Sequence, residues 1–217
     1  MSQSVLLSHS FQVLTAPSWQ PVSLSDIKAH LVIGYSNDDA LLTTLVNAAT
    51  NYVERVTQTF IAERTIQLNL EYFGPVVWGD ATLVAINKAY SGGIALELPV
   101  WPLNAINSIK YIDPSGTLQT WASSLYQVWL QRRPPLFRPA YGQTYPITQP
   151  GLLDAVQISL DVGYTSLGNV PAEYQACIKM IAAHWYANKG DSKDMNALGI
   201  PMVAQHLIDY IGEPYYR

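Results

Sequence analysis

The hydrophobic residues of this chain change period twice. Leu41, Leu42, Leu45, Val46, Ala49, Tyr52, Val53 and Val56 recur at helical spacing, which argues for one apolar face on a long helix. Thr65-Ile66-Gln67-Leu68-Asn69-Leu70 then alternates, the pattern of a strand buried on one side. Helical spacing returns at Tyr174, Ile178, Ile181 and Trp185. A chain patterned in this way places helices at both ends around a β-rich middle.

Residues 1–20 read as a polar, extended lead-in ending in Pro17 and nearing Pro21. Ser23-Leu24-Ser25-Asp26 resembles a capping box with Asp in the place of Glu, and predicts a short helix to about Leu31, ended by Gly34. Asn37, Asp38 and Asp39 supply a cap and negative charge to the first turn of the next helix, both favourable at an N-terminus. Each Leu or Val which that helix buries completely contributes about 1.5–3 kcal/mol.

Strands are expected at 65–70, 94–98, 106–112, 125–130 and 155–162. Asp113-Pro114-Ser115-Gly116 is a turn, with Pro at its second position and Gly at its fourth. The glycine-rich stretch 74–93 reads as an irregular excursion, and the proline-rich stretch 134–150 as a loop over the sheet. Short strands divided by turns suggest a small antiparallel sheet or sandwich.

The helix expected over 171–188 opens at Pro171, a residue suited to a first helical position. Tyr174, Ile178, Ile181 and Trp185 form one apolar face, and Ala176, Met180, Ala183 and Ala187 form a second. One stripe suffices for a helix on the outside of a monomer. Two require a central position, or a second subunit over the other face. Pro201 opens a last short helix through Val203, Leu207, Ile208 and Ile211, stopped at Gly212-Glu213-Pro214.

Charged residues make up 13% of the chain, 12 basic against 16 acidic, for a net charge of −4. The densest basic patch is Arg132, Arg133 and Arg138, short of the basic stripe that a footprint on duplex DNA needs. The weakly polar remainder, rich in Tyr, Trp, Asn and Ser, suits interfaces. A single cysteine, Cys177, excludes an intrachain disulfide and reads as an inert core thiol. The N-terminus lacks a signal peptide's basic and apolar regions. No run approaches the ~20 apolar residues of a membrane span. The expectation is a soluble protein made in a cytoplasm.

No catalytic, cofactor or metal site is expected. His9, His30, His184 and His206 show no metal-ligand spacing. His206 with Asp209, and Asp26 with His30, lie one turn apart and suit surface hydrogen bonds. Ser91-Gly92-Gly93 has no nucleophile elbow around it, and no phosphate-binding glycine motif occurs. Asp154 and Asp161 read as solvent-facing. Trp78, Trp101, Trp121 and Trp129 fall in the β-rich middle, where flat aromatic platforms would stack on sugars; a carbohydrate-binding module is therefore the alternative from another class.

The order of motifs resembles a known family. Pro21-Val22-Ser23-Leu24-Ser25-Asp26-Ile27-Lys28-Ala29-His30-Leu31 opens the ordered part, and Asp38-Asp39-Ala40-Leu41-Leu42 leads to Tyr52-Val53-Glu54-Arg55-Val56-Thr57. Then follow Glu97-Leu98-Pro99, Ile106-Asn107-Ser108-Ile109-Lys110-Tyr111-Ile112-Asp113, Tyr126-Gln127-Val128, Val162-Gly163-Tyr164, Val170-Pro171-Ala172 and Ala183-His184-Trp185-Tyr186. Across roughly residues 20–190 this resembles the head–tail connector (adaptor, or head-completion) proteins of tailed bacteriophages and gene-transfer particles.

The resemblance implies a non-enzymatic virion protein of the neck, between head and tail, made in a bacterial host. Such adaptors close into a ring, usually a dodecamer, beneath the portal protein. They join it to a stopper or tail-completion protein and let DNA pass through an axial channel without sequence-specific binding. No cofactor and no membrane partner is implied. The implied fold is α+β: a helical bundle core (22–62 and 171–211) with an inserted antiparallel β-rich region (63–165). A flexible arm (1–20) and tail (212–217) complete a single connector domain, 1–217. Ala176, Met180, Ala183 and Ala187 are the expected subunit interface. Leu207, Ile211, Tyr215, Tyr216 and Arg217 are the expected portal contact. A tail-completion or terminator protein of the same particle is the nearest alternative role.

Overall fold

The computed structural model describes residues 9–73, 95–188 and 199–212. The chain divides into two compact units. One comprises Met1–Ala16 with Arg64–Gly163, the other Pro17–Glu63 with Tyr164–Arg217.

The first unit is built of strands. β1 (His9–Thr15), β2 (Arg64–Leu70), β4 (Leu103–Ile112), β5 (Leu118–Trp121) and β8 (Val156–Val162) form an antiparallel sheet in the order β1-β2-β8-β4-β5. β2 and β8 alternate strictly, and their register sets Ile66 opposite Leu160, Leu68 opposite Ile158 and Leu70 opposite Val156. All six side chains are buried, so one face carries the core. The opposite face is polar: Asp161 accepts from Thr65 Oγ1 at 2.7 Å and from Asn107 Nδ2 at 2.8 Å. β4 is bulged against β8 at Leu103/Ala105 and Ile106/Ser108, which breaks its alternation, as an extra residue in one strand must. Asp113, in the turn joining β4 to β5, accepts from the Ser115 and Thr117 N–H groups at 2.9 and 3.0 Å.

A second sheet takes the order β3-β7-β6, from β3 (Leu96–Glu97), β7 (Leu136–Pro139) and β6 (Tyr126–Trp129). Phe137 of β7 is fully buried. Its ring meets Phe73, Trp121, Tyr126 and Tyr145 at centroid separations of 6.0–6.4 Å, mostly edge-on, the arrangement that aromatic quadrupoles favour.

The second unit is helical: α1 (Leu24–Leu31), α2 (Asp39–Thr57), α3 (Ala172–Ala187) and α4 (Met202–Gly212). Its core joins Ile27 of α1, Leu42, Val46, Ala49 and Val53 of α2, Tyr174, Ile178 and Ile181 of α3, and Ala204 and Ile208 of α4. The capping box at Ser23 forms as read, with Asp26 returning to the Ser23 N–H at 3.1 Å. Glu54 accepts the Ile61 N–H at 2.7 Å and so turns the chain after α2.

Three expectations change. The fold is not a helical bundle core with a β-rich embellishment. Among the described residues four helices stand beside eight strands in two antiparallel sheets, because the strands bury a substantial core of their own, from Ile66 to Phe137. Gly34 does not end α1; Val32 does, at φ 56°. Pro171 caps α3 at φ −53°, ψ 137° and lies one residue outside it. Three strands also arise where none was expected: β1 in the lead-in, β5 after the Asp113 turn and β7 in the proline-rich loop. The excursion over 74–93 lies outside the described residues.

Candidate assembly surfaces

α3 is fixed to its own unit along its whole length. Near its start the Tyr174 hydroxyl donates to Thr59 Oγ1 at 3.2 Å. One turn on, the Cys177 thiol donates to the Ala204 carbonyl of α4 at 3.3 Å. At its far end the Tyr186 hydroxyl donates to the Asp38 carboxylate and accepts from Tyr35 at 3.2 Å, while Trp185 meets Tyr52 edge-on at 6.3 Å. Burial pushes the Cys177 thiol up to about 11, so its thiolate is scarce at neutral pH.

This anchoring sorts the two apolar stripes. Tyr174, Ile178 and Ile181 are buried with Cys177 and Ala182. At 100° per residue, Ala176, Met180, Ala183 and Ala187 lie on the opposite side. Ala187 is exposed and the other three are half-buried, with Met180 packed in part against the helical core. Lys179 borders this outward face. Asp26, the acid whose carboxyl it helps to hold below the usual range, is lowered mainly by its hydrogen bonds to Ser23.

α4 divides differently from expectation. Leu207 and Ile211 are half-buried against the helical core beside Ala204 and Ile208, so they face inward. Its outward side carries Met202, Val203 and Tyr210, at 77%, 62% and 71% exposure, flanked by His206 and Asp209. Reading the helix through Val203, Leu207, Ile208 and Ile211 put Val203 with the inward residues and passed over Met202 and Tyr210; the spacing of Val203 and Tyr210, seven apart and opposite Ala204 and Ile208, was the available signal. Tyr215, Tyr216 and Arg217 lie outside the described residues.

The candidate chemical groups are engaged elsewhere. Asp26 is bonded by Ser23 and Asp209 by Gln205 at 2.9 Å, rather than by the histidines one turn away. Asp154 is exposed, whereas Asp161 is half-buried and bonded within the sheet, contrary to a solvent-facing position. The basic patch serves its own sheet: Arg132 pairs with Glu97 at 3.0 Å, Arg138 reaches Gln127 at 3.4 Å, and Arg133 lies 5.9 Å over the Trp101 ring. Trp121 is buried among Phe73, Tyr126 and Tyr145 and offers no platform to a sugar. Trp129 is exposed, and Trp78 lies outside the described residues. Among the described residues no three His, Cys, Asp or Glu are grouped to hold a metal ion, and no helix is long and apolar enough to cross a membrane.

α1, α2 and β2, the elements that open the helical unit and lead into the sheet, are where the chain matches a known family. Residues 21–74 match the phage gp6-like head-tail connector protein family. The resemblance read from motif order is borne out over this stretch. No curated protein sequence matches the chain. Solved structures that share its fold include chains from gene transfer agent (GTA) particles. A chain in the neck of an empty GTA particle, computed with C6 symmetry, superposes with a TM-score of 0.69 at 19% identity, over 93% of this chain and 94% of that one. A chain of the native GTA virion gives 0.67 at 19% identity, over 92% and 93%. A third, from the neck of the native particle computed with C12 symmetry, gives 0.65 at 17% identity, over 93% and 94%. The shared fold therefore takes in both the helical and the sheet unit.

Proposed function

We propose that this chain is a structural, non-enzymatic protein of the neck of a tailed phage or gene-transfer particle. Copies of it close into a ring beneath the portal, join the portal to a stopper or tail-completion protein, and leave an axial channel for DNA. The observation that carries this reading is the shared fold, which extends over more than nine-tenths of this chain and of chains in the GTA neck. The connector-family match over 21–74 supports it from sequence.

A ring is a heterologous assembly in which each subunit uses two unlike surfaces. The outward face of α3, Ala176, Met180, Ala183 and Ala187, supplies one of them. Portal contact is assigned to Tyr215, Tyr216 and Arg217, since Leu207 and Ile211 are engaged inward. The acidic balance of the chain suits a channel in which DNA slides, because few cations are offered to displace the counterions of its phosphates.

Native mass spectrometry of the purified chain, alone and mixed with the portal protein of its particle, tests the proposal. A closed ring, twelve copies being expected, supports it. A chain that stays monomeric even on its portal overturns it.

A further inference from the structure

α4 is apolar on two sides. Ala204 and Ile208 are buried in the helical unit, yet Met202, Val203 and Tyr210 stand largely in solvent on the opposite side. Large side chains gathered on the outer face of a short helix mark a surface that is covered in use. The outer face of α3 has the reverse character: three alanines and one methionine, with no charge among them.

Resting on the ring reading above, we infer that the outward face of α4 in one copy docks on the outward face of α3 in the next. The occupant of the α4 face is thus a second copy of this chain. Bulk complements bulk, since Met202, Val203 and Tyr210 are knobs and Ala176, Ala183 and Ala187 leave room for a close helix–helix approach. Charge is complementary at the borders as well. Lys179, beside the α3 face, forms no salt bridge among the described residues, although its charge bears on Asp26, and Asp209, beside the α4 face, is bonded among the described residues by the neutral Gln205. The two faces differ, and they belong to the same unit, so the contact is heterologous and propagates from copy to copy as ring closure demands.

Paired cysteines decide the matter. Ala183 and His206 sit near the middles of the two faces, so they oppose one another whichever way the helices run. In the assembled full-length protein, the double variant Ala183→Cys/His206→Cys should cross-link on mild oxidation into a ladder of dimers, trimers and higher species. Either single variant should yield no such ladder; Cys177 is buried and stays in place. A ring that forms without the 183–206 cross-link overturns this contact and leaves the ring reading standing. Dimers from a single variant also overturn it, by showing a like-to-like contact. Absence of any ring in the unmodified chain on its portal defeats the ring reading and this inference together. A charge exchange gives a second readout that needs no cysteine. Lys179→Glu or Asp209→Lys alone should weaken assembly several-fold, and the two combined should restore it; failure of restoration counts against the pairing.

Discussion

The thiol of Cys177 on α3 donates to the carbonyl of Ala204 on α4 across 3.3 Å, with both residues fully buried. The sulfur is therefore a built-in reporter on whether α4 is docked. With its titration moved up to about 11 by burial, it should react with a disulfide reagent at neutral pH far more slowly in the folded protein than in denaturant. Ile208→Ala removes the buried anchor one turn from Ala204, at a cost of ~2–5 kcal/mol, and should speed thiol labelling markedly. Labelling of the native protein at the rate of an exposed cysteine would contradict the docked position of α4.

Val32 closes α1 in a left-handed conformation, φ 56°, while 91% exposed. The Ile33 N–H reaches back to the Lys28 carbonyl at 2.9 Å, the capping bond that usually has glycine at this point. A β-branched residue there costs about 1–2 kcal/mol, whereas glycine adds unfolded-state entropy worth about 0.5–1 kcal/mol. Since Val32 packs against almost nothing, Val32→Gly should stabilise the helical unit by about 0.5 kcal/mol, seen as a higher urea midpoint. A lower midpoint would mean that the valine side chain is in use.

What the chain spells out and what it conceals follow from burial. α2 was legible because Leu42, Val46, Ala49 and Val53 recur on one buried face, and β2 and β8 because one side is apolar and the other polar. β1 left no such trace. Six of its seven residues are exposed, so polarity does not alternate along it, and backbone pairing with β2 holds it in place. β7 was hidden by the prolines around it; Pro139 sits at the strand end, opposite Tyr126, a position that tolerates proline. The expected core was too helical because period alone does not show how much core the strands enclose. On the assembly side, the two stripes of α3 were visible from spacing, and the larger residues turned out to be the inward ones. The outward face of α4 was missed because Ala204, the residue that marks its inner side, is too small to stand out in a hydrophobic pattern.

The aromatic cluster around Phe137 should hold the sheet unit together. The ring is fully buried against Phe73, Trp121, Tyr126 and Tyr145, and Phe137→Ala should cost ~3–5 kcal/mol. Near-ultraviolet circular dichroism should lose intensity, since four other rings lose their fixed partner. Trp129→Ala, at an exposed site, should leave both stability and spectrum nearly unchanged. Equal effects from the two substitutions would show that Phe137 is not central to this cluster.

Asp113 gives a defined pH dependence. The Ser115 hydroxyl first, then the Thr117 N–H and the Gln119 amide, hold its carboxyl down to about 2 from an ordinary 3.8. A group depressed on folding contributes fully above its unfolded pKa and loses that contribution as pH falls through the folded one. The turn between β4 and β5 should thus keep its hydrogen bonds to below pH 3.8 and loosen near pH 2. Carbon-13 titration of the Asp113 carboxyl should show a midpoint near 2, and Asp113→Ala should abolish the protection of the Thr117 amide from exchange at all pH values. A midpoint near 3.8 would contradict the turn.

Met180 and Ala187 lie on the same outward face of α3 but should respond differently to a charge. Met180 is half-buried and packs partly against the helical core, so Met180→Glu places a carboxylate where desolvation is costly. It should lower stability as well as assembly. Ala187 is exposed at the end of the same stripe, and a surface substitution there typically changes stability by within about 0.5 kcal/mol. Ala187→Glu should therefore leave the circular dichroism and melting temperature unchanged while shifting the ring toward monomer in size-exclusion chromatography with light scattering. Assembly that survives Ala187→Glu intact would remove this end of α3 from the subunit interface, and a parallel loss of folding would return the stripe to the core.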